Sequence, residues 1–202
     1  MNLTVSGLKK ILLSPRSHTD AADLDAIRAR ALFEAPDSAG TKPDRSLADF
    51  LAHVSLFEDL GRRDLARLAR IVHERDYADG EYICEEGRPG VALFIVRRGV
   101  VEVVTRAAGD RDVPLALLEP PASFEETALI GPEMPRWFSV RARGPVSLLG
   151  LGKSDLEALS VDFPVMANKV LIRLAALMAA RLRTLLDAEF LGESDQRTEG
   201  AP

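Results

Sequence analysis

GEYICEEGRPGVALFIVRRGVVEVV, residues 80–104, is the stretch of this chain that decides its fold. Short runs rich in Val and Ile are separated by glycines, and this alternation is typical of β-strands joined by close turns. Turn signals at Gly109-Asp110 and Gly144-Pro145 continue the pattern to about Leu151. Because many short strands with close turns favour these architectures, we predict a sandwich or jelly roll rather than a βαβ sheet.

Helical patterns flank the strands on both sides. Ser46 is placed to cap a short helix, and a second helix is predicted after Gly61. On the other side, Ser154–Glu157 has the pattern of a capping box that opens a third helix. A long helix is then predicted from Asp162 to about Phe190, with a proline in its first turn, where proline is tolerated.

These patterns divide the chain into three parts. Residues 1–45 are predicted to be an N-terminal extension, with a modest helix from Thr19 to about Glu34 and a linker of proline, glycine and polar residues. Residues 46–190 are predicted to form one domain that is mainly β with flanking helices. Residues 191–202 are predicted to be a polar tail.

The long helix has a narrow apolar seam, made up of Leu171, Leu174, Met178, Leu182 and Leu185. Helices of this length with such a seam often pair with the same helix of a second subunit. We therefore predict a homodimer formed through residues 162–190. In the alternative interpretation, the helix lies entirely on its own domain.

Composition limits the classes of function. With 202 residues and a formal net charge of −5, the chain lacks the basic excess of a general nucleic-acid-binding surface. Cys84 is the only cysteine, so no disulfide and no multi-cysteine metal site can form within one chain. No apolar run approaches the length of about 20 residues that spans a bilayer, and no signal-peptide pattern is found. We expect a soluble, cytoplasmic protein.

The sequence has no motif of a known catalytic class. Its histidines, His18, His53 and His73, are not spaced as metal ligands. It contains no nucleophile elbow, P-loop or dinucleotide-binding glycine motif. We predict a non-enzymatic protein without a metal or a cofactor.

A second stretch, Pro121–Ala142 (PASFEETALIGPEMPRWFSVRA), combines acidic residues with a lone Pro-Arg pair. Glu125 and Glu126 stand at the start of a predicted short helix, and Arg136 enters the following strand. A helix N-terminus together with a guanidinium group is an arrangement that binds anions. The sequence therefore predicts a small β-domain with an anion-binding site.

Glycines and apolar positions in both stretches resemble the cyclic nucleotide-binding domain family over about Ser46–Glu189. The resemblance implies an eight-stranded jelly roll with flanking helices, as in catabolite-activator-type regulators and kinase regulatory subunits. It also implies that the domain binds cyclic AMP, cyclic GMP or a related anion, and that the long C-terminal helix transmits the effect of ligand binding. The matching residues are Tyr77-x-x-Gly80-Glu, Gly87-x-x-Gly90, Leu93-Phe94-Ile95-x-x-x-Gly99, Phe124-Glu125-Glu126-x-Ala128-Leu129-Ile130 and Pro135-Arg136-x-x-Ser139.

By the same resemblance, the expected ligand-binding residues are Phe124, Glu125, Glu126, Ala128, Leu129, Arg136, Trp137 and Phe138. Arg136 matches the arginine that pairs with the phosphate; the alternatives are a solvated arginine and an intramolecular ion pair. Glu126 matches the glutamate that accepts a hydrogen bond from the ribose 2′-hydroxyl. Alternatively, Ser123 and Glu126 form a capping box.

Three of these positions depart from the family pattern. Glu125 replaces a glycine whose backbone approaches the phosphate, and it brings a negative charge to a place that suits an anion. Trp137 and Phe138 replace a small hydroxyl residue and an alanine. Successive strand residues face opposite sides, so one of the two aromatic side chains is predicted to point inward.

Two functions remain open on these residues. The first is a regulatory or sensory module that binds a nucleotide. The second is a ligand-independent scaffold for protein interaction and dimerisation, in which Glu125 replaces the phosphate on Arg136 and Trp137 or Phe138 closes the pocket. Activator-type relatives carry a helix-turn-helix after the long helix, and residues 191–202 do not resemble one. A protein partner and no direct nucleic-acid binding are therefore expected.

Overall fold

The computed structural model describes residues 45–106, 112–131 and 135–198, so the helix predicted between residues 19 and 34 lies outside the described residues. Short 3₁₀ turns occupy Ser55–Phe57 and Glu126–Leu129. The helices are α1 (Arg45–Leu51), α2 (Arg62–Leu68), α3 (Lys153–Asp162) and α4 (Pro164–Thr198). The strands are β1 (His73–Tyr77), β2 (Tyr82–Cys84), β3 (Ala92–Arg106), β4 (Asp112–Leu118), β5 (Ser123–Phe124) and β6 (Ser139–Gly152).

The long strands β3 and β6 form the centre of an antiparallel sheet in the order β1-β6-β3-β4, to which β2 and β5 add. Their pairing shifts register around Arg98, beside Gly99 and Gly144, whose φ angles are 82° and 77°. Glycine suits such a bend, and a Cβ at Gly99 would collide with the carbonyl oxygen of Pro145. Divided at these bends, the described strands form eight segments, which confirms the predicted mainly β class with flanking helices.

Two apolar clusters hold this architecture together. Along β6, Leu148 faces the interior of the sheet structure, whereas Leu149 faces the helices, as the alternation of strand side chains requires. The interior cluster consists of Tyr77, Cys84, Ala92, Phe94, Val96, Val101, Val103, Phe124, Val140, Ala142, Val146 and Leu148. The second cluster joins the outer face of the sheet to all four described helices.

The two predicted helices are present as α1 and α2, but the predicted cap at Ser46 is wrong, because α1 begins at Arg45 and Ser46 lies inside it. The capping box predicted at Ser154–Glu157 is wrong, because α3 begins earlier, and Asp155 Oδ2 accepts a 2.8 Å hydrogen bond from the Gly152 N–H. The long helix extends to Thr198, beyond its predicted end near Phe190, so the predicted tail from residue 191 begins within a helix.

One face of α4 packs on its own domain. Leu174 is fully buried there, and Leu171 and Met178 also contact the helix-side cluster. Leu174 of the predicted seam is therefore not available to a second subunit, and Leu171 and Met178 are partly covered. The exposed apolar residues lie beside the packed face of the helix, at Val165, Ile172, Leu182 and Leu186, with Ala175 and Ala179 between them. We name these six residues the exposed stripe.

In the described part of the chain, α4 included, we find no helix with the length and apolar character needed to cross a membrane.

Candidate functional site

The segment between β5 and β6 contains the predicted site, and its backbone conformation is unusual at Glu125. This residue has φ 64° and ψ 29°, and it is the only non-glycine residue with positive φ in the described part of the chain. The left-handed region costs a residue with a Cβ about 1 kcal/mol or more. The backbone at Glu125 thus adopts a conformation that suits glycine, the residue that the resemblance implies here, although a longer side chain is present.

Arg136 is held opposite this residue by the turn that precedes β3. Its backbone N–H donates to the Arg88 carbonyl oxygen at 2.8 Å, and its own carbonyl oxygen accepts from the Gly87 N–H at 2.9 Å. Pro89 and Pro135 form an isolated bridge beside these bonds. The glycine turn and the entry to β6 therefore fix the position of the guanidinium group.

The Glu125 and Arg136 side chains form a buried ion pair. Arg136 Nε donates to Glu125 Oε2 at 2.8 Å, and the two side chains are only 9% and 5% exposed, for arginine and glutamate respectively. A charge-assisted bond of this length in a low-dielectric setting satisfies two groups that would be costly to bury alone. The intramolecular ion pair that the sequence left open for Arg136 is therefore present.

The charge of Glu125 leads to a prediction about pH. Burial raises the pKa of Glu125, and Arg136 offsets only part of this effect. A raised folded-state pKa gives a stability contribution that is complete below the ordinary glutamate pKa and is lost as the pH rises through the folded value. We expect the free energy of unfolding of the wild type, minus that of Glu125→Gln, to fall as the pH rises in urea titrations between about pH 4 and pH 8. A difference that stays constant or increases would contradict this assignment.

Gly90 lies against the same carboxylate. A Cβ at this position would be 2.9 Å from Glu125 Oε2 and 3.1 Å from the Ala128 Cβ. We expect Gly90→Ala to lower the free energy of unfolding by about 1–2 kcal/mol, because the held carboxylate cannot move away without losing Arg136. Chemical denaturation of Gly90→Ala in the wild-type and Glu125→Gly backgrounds measures this. Gly90→Ala should lower the free energy of unfolding less in the Glu125→Gly background than in the wild type. An equal decrease in both backgrounds would show that the Glu125 side chain does not occupy this space.

Glu126 connects the site to the long helix. Arg181 Nη1 donates to Glu126 Oε2 at 2.6 Å, and Arg181 Nη2 donates to Glu126 Oε1 at 2.8 Å. The Ser123 hydroxyl also donates to Glu126 Oε1 at 2.7 Å, and the glutamate is 3% exposed. The capping box predicted for Ser123 and Glu126 is wrong, because their bond joins two side chains and the turn has no side-chain cap.

Three of the other predicted site residues pack in the two apolar clusters. Phe124 is part of the interior cluster and stacks on Phe94, with 5.4 Å between the ring centroids. Leu129 is buried in the helix-side cluster instead, so the structure does not bring it to the ion pair. Phe138 packs against the interior cluster, whereas Trp137 is 49% exposed. The prediction that one of these two aromatic residues points inward is confirmed, with Phe138 in that position.

Arg181 is the site residue that the sequence analysis missed. Helix α4 carries several basic residues, including Lys169, Arg173 and Arg183, and no motif distinguishes the one that reaches Glu126. The sequence does place an acidic residue, Glu126, in an apolar motif. A buried acidic residue needs a cationic partner, and this requirement could have indicated that a basic residue lies nearby.

No other reactive group joins this site in the described residues. Burial raises the pKa of the Cys84 thiol to about 12, which keeps it protonated at neutral pH. The ranges that the structure covers contain no cluster of three or more His, Cys, Asp or Glu side chains that could hold a metal ion.

The sequence matches known proteins over the same region. Residues 74–162 match the family model described as the cyclic nucleotide-binding domain. The chain is 37% identical over 118 residues to a cyclic nucleotide-gated potassium channel of Mesorhizobium japonicum, which covers 58% of the chain and 31% of the channel. It is 29% identical over 133 residues to the cGMP-dependent protein kinase egl-4 of Caenorhabditis elegans, which covers 61% of the chain and 17% of the kinase.

Solved structures give the same result. The N-terminal domain of a transcriptional regulator from Streptomyces coelicolor A3(2) is 31% identical with a TM-score of 0.60, over 69% of this chain and 96% of that chain. The catabolite activator protein of Thermus thermophilus is 32% identical with a TM-score of 0.60, over 68% of this chain and 63% of that chain. The predicted resemblance and jelly-roll fold are confirmed, and the chain belongs to the cyclic nucleotide-binding domain family.

Proposed function

We propose that this domain is a regulatory module of cyclic nucleotide-binding type whose anion site is filled by its own Glu125, and that it acts through protein contacts without requiring a nucleotide. The observation that carries this proposal is the buried Glu125–Arg136 ion pair. It develops the scaffold interpretation of the sequence, with Glu125 in the role of the cyclic phosphate.

The energy of the pair explains why a nucleotide would bind poorly. A cyclic phosphate on Arg136 would have to displace the Glu125 carboxylate. The negative charges of the phosphate and of Glu125 would then lie close together. Two like charges about 4 Å apart repel by about 4 kcal/mol at an effective dielectric constant of 20. Breaking a buried pair by removing one partner costs about 3–5 kcal/mol. The sum of these two unfavourable free energies exceeds the favourable free energy of one charge-assisted hydrogen bond to a phosphate.

The bond from Glu126 to Arg181 supports a role for α4 as the output element. It joins the segment that holds Glu125, Glu126 and Arg136, which we name the cassette, to a helix whose stripe is exposed. An element held at the site by a bidentate ion pair changes position only when that pair is broken. We infer that the closed cassette keeps α4 in one position, in which the helix presents the stripe to a partner.

A second copy of the chain is the partner that the stripe fits best. Val165, Ile172, Ala179 and Leu186 recur every seven residues, and Ala175 and Leu182 occupy a second position of the same repeat. A sustained heptad repeat is the pattern of helices that pair in coiled coils.

Placing charges in the exposed stripe should prevent this pairing. We expect Ile172→Glu combined with Leu182→Glu to convert a homodimer to a monomer, because both side chains are more than half exposed and would be buried in the dimer. Light scattering after size-exclusion chromatography gives the mass. Leu117→Glu, an exposed apolar residue on β4, is the control and should leave the mass unchanged. A monomeric wild type, or a dimer that survives both substitutions, would contradict dimerisation through the stripe.

A nucleotide sensor is the second candidate, because Arg136 and Glu126 stand at the family's phosphate and ribose positions. The named relatives are cGMP-dependent or cyclic nucleotide-gated, which makes cyclic GMP and cyclic AMP the ligands to test. Thermal unfolding of the wild-type protein with each nucleotide separates the two functions. A ligand at 100 times its Kd adds about 2.7 kcal/mol of stability. We expect no shift of Tm at millimolar nucleotide, and a saturable shift would favour the sensor.

A further inference from the structure

A basic surface lies on α2, outside the cassette. Arg63 and Arg67, four residues apart, lie on one face of α2, and Arg70 lies in the turn that follows the helix. The other face is anchored by Leu65 and Leu68, both buried. With Ala66, the three arginines line a shallow concavity of about 240 Å³. We name these three residues the arginine face.

One member of the arginine face is held in place. Arg67 Nη1 lies 2.8 Å from Asp64 Oδ1, and the Arg67 guanidinium lies over the Phe163 ring, 4.7 Å from its centroid. Within the described ranges, Arg63 and Arg70 are exposed and take part in no ion pair. The surface therefore combines one oriented guanidinium group with two that form no ion pair with any carboxylate of the described residues.

An aromatic ring borders the same surface. Phe163, beneath Arg67, is 38% exposed. Protein interfaces are enriched in arginine and aromatic residues at their centres. Nucleic-acid surfaces instead need a basic excess that extends along a backbone. In a chain with a net charge of −5, a short basic face beside an aromatic side chain favours a protein segment over a nucleic acid.

We propose that the arginine face is a docking surface for an acidic segment of a partner protein, one that carries carboxylates for Arg63 and Arg70 and an apolar side chain for the region of Arg67 and Phe163. Charge complementarity is the basis for this choice, because opposite charges at an interface determine both the partner and its orientation. The docking surface is separate from the cassette and does not depend on whether the cassette binds a nucleotide.

The test uses a fluorescein-labelled peptide of Glu, Leu and Gly, titrated with the full chain and followed by fluorescence anisotropy. A peptide with Lys in place of Glu and a single-stranded oligothymidine serve as comparison probes. The variant is Arg63→Glu combined with Arg70→Glu. Its control is Arg143→Glu combined with Arg183→Glu, which makes the same change of net charge at exposed arginines of β6 and α4. All four positions are exposed, so the variants should fold, and their Tm values check this.

We expect saturable binding of the acidic peptide that weakens with added salt. The Kd should rise about tenfold or more in the arginine-face variant, and less than about threefold in the control. The proposal is overturned if the acidic peptide does not bind at millimolar concentration, or if both variants lose binding equally, which would indicate unspecific attraction. Oligothymidine binding as tight as that of the peptide, lost in the same variant, would assign the surface to nucleic acid instead.

Discussion

Glu125→Gly should give this domain an affinity for cyclic AMP or cyclic GMP at least about a hundredfold higher than that of the wild type. The substitution removes the carboxylate from Arg136, which leaves the guanidinium free to bind a phosphate. About 3 kcal/mol of displacement cost disappears, and this corresponds to a factor of more than one hundred in Kd. Glycine also adopts the φ of 64° without strain.

Two comparisons make this prediction specific. Glu125→Gln removes the charge but keeps the bulk of the side chain, so we expect it to gain less affinity than Glu125→Gly. Isothermal titration calorimetry of the wild type and both variants measures the Kd values to be compared. Equal and undetectable binding in the wild type and in Glu125→Gly would show that the ion pair is not what keeps nucleotides out.

Arg136→Ala is expected to destabilise the domain by about 3 kcal/mol at neutral pH, which corresponds to a fall in Tm of roughly 10 °C. The substitution leaves Glu125 buried at 5% exposure without a cation, and a buried charge without a partner is costly. Because the pKa of Glu125 is already raised, Arg136→Ala should lower the free energy of unfolding less in mildly acidic buffer, where the carboxyl group of Glu125 is protonated.

The double variant distinguishes the ion pair from a general loss of packing. Adding Glu125→Gln to Arg136→Ala should recover part of the lost stability, because the stranded charge is gone. Arg143→Ala, at an exposed arginine of β6, should change the free energy of unfolding by less than about 0.5 kcal/mol. If Arg136→Ala is as stable as this control, the pair does not hold the site closed.

The sequence predicted the architecture well because its signals are local. Glycines at fixed spacings, such as Gly99 and Gly144, mark the bends of the long strands, and the apolar runs between them mark the interior. The pairing of Glu125 with Arg136 could also be hypothesised from the sequence, since an acidic residue replaces a glycine in a motif that otherwise keeps its arginine.

Other features depend on which surfaces meet, and a periodic pattern does not determine this. Helix α4 is apolar on two sides, so its sequence alone did not show that Leu174 faces the sheet and Ile172 faces outward. The contact of Arg181 with Glu126 joins residues 55 positions apart, and it depends on the angle at which the helix returns to the cassette. The start of α3 was misplaced because Asp155 binds the Gly152 N–H, although Ser154 and Glu157 also fit the capping-box pattern.

The most direct test of the account is isothermal titration calorimetry of cyclic AMP and cyclic GMP into the wild type and Glu125→Gly, side by side in one buffer. We expect no measurable heat of binding for the wild type. For Glu125→Gly we expect a saturable, one-site isotherm with at least one of the two nucleotides. Tight binding to the wild type, unchanged or weakened by Glu125→Gly, would contradict the claim that Glu125 closes the site.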